Sequence, residues 1–84
     1  MKVIYIYQGE KKTVEINAVG FVKDYDGREY LDSGTVNFTP ADNSLKPFFL
    51  HVTPAERNRI FDDLLIHTGC ADISRISSGI YFQV

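Results

Sequence analysis

The sequence predicts an α+β fold: a single domain over residues 1–84, with a mainly antiparallel sheet of 4–6 strands packed on one amphipathic helix in the order β-β-β-β-α-β. Three observations carry this. Runs rich in β-branched and aromatic residues recur between Gly, Pro and Asp turns. One stretch, "TPAERNRIFDDLLIHTG", combines a helix-start signature with apolar residues at helical spacing. A lone helix cannot bury its own stripe, and a sheet with an apolar face supplies the missing wall. A small curled or partly closed β-barrel with one helix is the alternative, with Gly20 and Gly34 as bending points.

The first strand is "MKVIYIYQ", where period two puts Ile4 and Ile6 on one face and Val3, Tyr5 and Tyr7 on the other. Both faces are apolar, which suits an interior strand or a tyrosine face that meets something outside the domain. Gln8-Gly9-Glu10-Lys11 supplies a polar turn in which Gly9 is free to take positive φ. From Lys12 to Lys23 the alternation points Val14, Ile16, Ala18 and Val22 inward, against Thr13, Glu15 and Asn17. Val19 and Phe21 interrupt the polar face, and Gly20 between them predicts a bulge or a close backbone approach.

Asp24-Tyr25-Asp26-Gly27 reads as a hairpin turn, because Asp-Gly accommodates the positive φ values of a type I′ turn. The returning strand starts near Arg28, is open to interruption at Asp32-Ser33-Gly34, and points Val36 and Phe38 inward before Pro40 ends it. "PADNSLKP" is a surface loop. In the fourth strand, "FFLHV", Phe48, Leu50 and Val52 share one face and Phe49 and His51 the other.

Thr53 is the expected N-cap, Pro54 takes N1 and Glu56 takes N3, completing a capping box. The helix is expected over 54–68. Ile60, Phe61, Leu64 and Leu65 form its apolar stripe, Glu56, Arg59, Asp62 and Asp63 its polar side, and Gly69 its C′ residue. "ADISRISS" is either an irregular connection or a short strand through Ile73 to Ser77; Ile80, Phe82 and Val84 then alternate in a final strand.

A formal charge of -2 and a pI near 5.5 argue against a chain held to duplex DNA by phosphate neutralisation. Lys23 and Arg28 dilute the acidic group Asp24, Asp26, Glu29 and Asp32, so a DNA-mimicking face is not expected either. The single cysteine forms no intrachain disulfide, and the apolar run near the start is too short for a membrane span; both point to a cytoplasmic protein. Self-association would help so short a chain.

No chemistry-bearing constellation is complete. Cys70 with His67 or His51 lacks an activating environment, because the C-terminal end of a helix disfavours a thiolate. His67-x-x-Cys70 with Asp62 or Asp63 offers too few ligands for zinc, and Asp24-x-Asp26-Gly27-x-Glu29 departs from calcium-loop spacing. No glycine-rich phosphate loop occurs. Neither an enzyme nor a cofactor is expected.

What rises above background is the aromatic content, five Tyr and six Phe. The expected binding surface combines Tyr5, Tyr7, Phe21, Phe49 and Tyr81, on strand faces opposite the assigned core, with Tyr25 and Asp26 of the hairpin. That surface suits a small protein-binding module, an adaptor or inhibitor that occupies part of a larger macromolecule, as phage and mobile-element accessory proteins do. The alternative is weak single-stranded nucleic-acid binding, with bases stacked on the rings and Lys2, Lys12, Lys23 and Arg28 around them.

Overall fold

Lys2–Tyr7 (β1) and Glu10–Lys23 (β2) form a hairpin whose two-residue loop has positive φ at both Gln8 and Gly9, the requirement of a type I′ turn. In this computed structural model the described residues are 1–23, 34–76 and the backbone of 81–82. The expected turn at Asp24-Tyr25-Asp26-Gly27 and the strand start near Arg28 lie outside them. Gly34–Pro40 (β3) and Phe48–Val52 (β4) follow, then a helix (α1) over Pro54–Phe61 that continues as a π-helical turn through Asp62–His67. Cys70–Asp72 (β5) and Tyr81–Phe82 (β6) complete the sheet, whose order is β5-β1-β2-β3-β4-β6. The fold is the α+β class expected, and the sheet is open, not closed into a barrel.

The length of β2 shapes the sheet. Its first half, Glu10 to Glu15, pairs antiparallel with β1, and its second half, Ile16 to Lys23, pairs with β3. A bulge sits at the handover, between Ile16 and Ala18, where the Met1 carbonyl accepts from the Ile16 amide and the Glu15 carbonyl accepts from the Ala41 amide. The extra residue reverses the facing of everything after it. Val14 and Ile16 are buried, but beyond the bulge Val19 and Phe21 turn toward the core while Val22 stands 60% exposed. This corrects the expected inward set of Ala18 and Val22 and moves the bulge away from Gly20. A bulge also sharpens strand twist, and the result is a curled sheet. Strands three positions apart in a flat sheet stand about 14 Å apart. Here the ring of Tyr5 in β1 lies 5.0 Å from that of Phe48 in β4, centroid to centroid.

The core gathers on the concave side: Val3, Tyr5, Val14, Ile16, Val36, Phe38, Phe48, Leu50 and Val52 from the sheet, Ile60 and Leu64 from the helix, Ala71 and Ile73 from β5 and the turn after it. Phe38 and Phe48 are register partners and stack with centroids 5.0 Å apart. Tyr5 is only 7% exposed, so the expectation that it faces outward is corrected: the odd-numbered residues of β1 face the helix, and Ile6, 48% exposed, faces away.

The helix begins as its sequence dictates. The Thr53 amide donates to the Glu56 carboxylate at 2.9 Å, and the Glu56 amide donates to the Thr53 hydroxyl at 3.3 Å, so two amides lacking intrahelical partners are satisfied reciprocally. Its end departs from the expected pattern. In the π turn each residue advances less than 100°, so Leu64 stays buried but Leu65 swings to 63% exposure instead of joining the stripe. The amides of Thr68 and Gly69 both donate to the Asp63 carbonyl, and Gly69 takes φ +67° as the expected C′ residue. The helix has by then carried the chain from β4 to the far edge, where β5 pairs with β1 in parallel, the Lys2 amide donating to the Gly69 carbonyl and the Ile73 amide to the Ile4 carbonyl. The short strand is thus Cys70–Asp72, earlier than the expected Ile73 to Ser77.

Candidate functional site

The helix layer covers one face of the sheet, and among the described residues no element covers the other. Beyond the bulge this open face carries Ala18, Gly20 and Val22 of β2, Thr35, Asn37 and Thr39 of β3, and Phe49 and His51 of β4. The register fixes the rows: Val22 opposite Thr35 opposite His51, and Gly20 opposite Asn37 opposite Phe49. Tyr81 is the backbone partner of Phe49 on the next strand.

Val22, Thr35, Asn37 and Phe49 line a shallow depression of about 270 Å³. Phe49 meets the His51 ring edge-on, with centroids 6.1 Å apart, and His51 Nδ1 lies 3.3 Å from the Thr35 hydroxyl, so imidazole and hydroxyl share a hydrogen bond. These contacts fix the rings before anything binds. The patch is therefore an apolar centre, Val22 and Phe49, within a rim of hydrogen-bonding groups from Thr35, Asn37 and His51, and among the described residues no carboxylate, ammonium or guanidinium lines it.

The half of the same face built by β1, β5 and the first part of β2 is different. Lys2 stands opposite Glu15, whose carboxylate also takes the terminal ammonium of Met1 at 3.1 Å. The Asp72 carboxyl is held below its ordinary range, first by the Ser74 hydroxyl, which donates at 2.5 Å, then by the Ser74 amide at 3.0 Å, with Lys11 and Arg75 adding to the effect. Positive and negative groups alternate there, so this half offers no cationic track.

The seven expected binding residues do not share one surface. Phe49 is on the open face. Tyr5 is sealed in the core, and burial raises its phenol pKa, with Tyr7 nearby adding to the rise. Tyr7 and Phe21 are half-buried and pack against the core from the helix side: Phe21 meets Phe61 edge-on at 6.5 Å and lies under the Arg57 guanidinium at 5.0 Å, while the Lys12 ammonium lies 5.7 Å from the Tyr7 ring centre. Tyr25 and Asp26, and the side chain of Tyr81, lie outside the described residues. Tyr5 and Tyr7 were expected outside because both faces of β1 are apolar and the Ile4 and Ile6 face was assigned to the core, and Phe21 because Val22 was read as inward; the bulge after Ile16 reverses only the second of these facings.

Val22, Thr35 and Asn37 were not expected in the site. Thr35 and Asn37 were legible as the polar positions alternating with Val36 and Phe38, whereas Val22 needed the position of the bulge. The sheet order sets His51 and Cys70 four strands apart, on β4 and β5, and His67 pairs with Asp62 at 3.4 Å. Among the described residues no three His, Cys, Asp or Glu side chains converge, and no helix is long and apolar enough to cross a membrane. No known protein family, curated protein or solved structure matches the chain.

Proposed function

We propose that the chain is a protein-binding module without turnover, an adaptor or inhibitor that occupies a surface of a larger protein through the uncovered face of its sheet. The observation that supports this reading is the patch around Val22 and Phe49, whose described lining carries no carboxylate, ammonium or guanidinium, with Val22 60% exposed on a face that no described element covers. Interface centres are depleted in charge and enriched in aromatic residues, and a neutral polar rim supplies the hydrogen bonds around them. A partner whose contact surface is itself apolar and uncharged fits such a patch. A phage or mobile-element accessory role in the cytoplasm extends the same proposal.

Single-stranded nucleic acid fits the face less well. It needs several stacking rings inside a cationic groove, whereas Phe49 stands among Thr, Asn and Val, and Lys2 and Lys11 lie close to Glu15 and Asp72.

The test is capture from nuclease-treated host extract with the wild-type chain, Val22→Lys and Leu65→Glu. Both substitutions fall on exposed side chains. A stoichiometric protein partner is expected with wild type and Leu65→Glu, and its recovery falls at least about tenfold with Val22→Lys, because an unpaired ammonium would be buried at the contact. Recovery unchanged by Val22→Lys would remove the open face from the account. A partner lost on nuclease treatment would point to nucleic acid instead.

A further inference from the structure

The π turn leaves two large aliphatic side chains on the outer side of the helix, Leu65 at 63% and Ile66 at 72% exposure. With Phe61, Asn58, Arg59 and Asp62 they line an open groove of about 520 Å³. Among the described residues this is the largest apolar exposure on the helix layer, and it lies on the opposite side of the sheet from the face discussed above. π turns recur at functional sites because they re-aim side chains that a regular helix would bury.

We infer that this groove is a two-fold contact between two copies of the chain, packed helix against antiparallel helix. With a two-fold axis at Asp62, residue 58 opposes 66 and 59 opposes 65, while Phe61 opposes position 63 outside the lining, so each copy's Leu65 and Ile66 meet the Asn58 and Arg59 side of the other's groove. Self-complementarity of this kind is what an isologous dimer requires. Charge follows the same symmetry. Within the groove lining Arg59 precedes the axis and Asp62 lies on it, so an antiparallel partner brings each copy's Arg59 towards the other's Asp62.

With Arg59 opposite the partner's Leu65, its aliphatic stem covers that side chain and its guanidinium reaches the partner's Asp62, one turn back. Arg59 already donates one hydrogen bond, to the Asp72 carbonyl at 3.2 Å, and a guanidinium has five N–H donors, so a second acceptor can be served. The two Asp62 carboxylates near the axis are each offset by the partner's Arg59, and each has its own His67 Nε2 at 3.4 Å. One pair of short helices buries less than the about 800 Å² per partner of a standard interface, so the dimer is a weak one, with Kd in the range of about 10–300 μM.

Sedimentation velocity from about 5 μM to about 1 mM tests this, with circular dichroism confirming that each variant is folded. The wild-type chain passes from monomer to dimer across that range. Leu65→Glu, and independently Ile66→Glu, weaken the dimer at least about tenfold, while Val22→Lys leaves it unchanged. Arg59→Asp alone and Asp62→Arg alone each weaken it, and an equimolar mixture of the two, or the double variant, restores it. A chain monomeric at every concentration, or a dimer indifferent to Leu65→Glu and Ile66→Glu, overturns the contact. Loss of the dimer with Val22→Lys moves the second copy to the sheet face and overturns it too, and single charge variants that the mixture does not rescue overturn the antiparallel pairing.

Discussion

At the scale of single residues, Gly34 is, among the described glycines, the one with no room for a side chain. A Cβ built there would lie 2.3 Å from the Val22 carbonyl oxygen and 2.9 Å from Lys23 Cα, both backbone atoms of the neighbouring strand that cannot move without breaking the pairing of β2 with β3. Gly34→Ala is expected to cost about 1–3 kcal/mol, read as a lower urea midpoint, by the logic of overpacking. Gly20→Ala, where a Cβ would meet nothing within 4 Å, is expected to be neutral or stabilising by up to about 1 kcal/mol. Equal losses at the two sites would contradict the close approach. Both glycines stood out in the sequence as bending points, but only the paired backbone separates the one that is sterically required from the one that is not.

Tyr5 sets a second residue-level expectation. Burial raises its pKa, so above the ordinary value of about 10 the unfolded chain releases the phenolic proton before the folded one does. The unfolded state then binds fewer protons, and stability falls as pH rises from about 10 through the raised folded value. Tyr5→Phe removes this contribution: urea titrations at pH 8 and pH 11 should show a smaller alkaline loss in the variant than in wild type. An identical loss would mean that the Tyr5 phenol is as solvated in the folded chain as in the unfolded one.

At the scale of elements, legibility in the sequence followed locality. The capping box, the Gly69 terminator and the facing of β3 and β4 each depend on residues within one turn or one unbroken strand, and each was readable. Thr53→Ala tests the first of these, with an expected loss of about 0.5–2 kcal/mol, partly recovered by Thr53→Ser or Thr53→Asp. No loss on Thr53→Ala would contradict the reciprocal amide bonds that start the helix. What could not be read is what a distant partner decides. The bulge between Ile16 and Ala18 marks where β2 exchanges β1 for β3, and nothing about Asn17 announces it. The π turn beginning at Asp62 hides inside a pattern that a 3.6-residue period fits equally well, so Leu65 read as buried. The parallel pairing of β5 with β1 joins residues nearly seventy positions apart, beyond the reach of any periodicity.

At the scale of the whole molecule, the described residues form a curled sheet with a helix on its concave side, and none of them covers the convex side. A two-layer fold of this kind has one core, and its second sheet face is available for contact. The proposed binding surface differs in composition from the expected one: one phenylalanine among Val, Thr and Asn stands in place of the row of tyrosines, because the core claims Tyr5 and holds Tyr7 and Phe21 against it. Charge supports the same division of labour. Among the described residues of the open face, Lys2 and Lys11 sit near Glu15 and Asp72, and the lining around Val22 carries no carboxylate or ammonium, so desolvation costs least there.

The measurement that reaches this claim most directly is thiol footprinting in a Cys70→Ser background. Single cysteines at Val22, Thr39 and Leu45 are labelled with a maleimide, first in the isolated chain and then in nuclease-treated host extract, at concentrations well below self-association. All three should label rapidly in isolation, since the parent side chains are exposed. In extract, protection of Val22→Cys by at least about tenfold, with Leu45→Cys on the surface loop unchanged, is the result this account predicts. Labelling of Val22→Cys at the same rate with and without extract, or protection confined to Leu45→Cys, would contradict it.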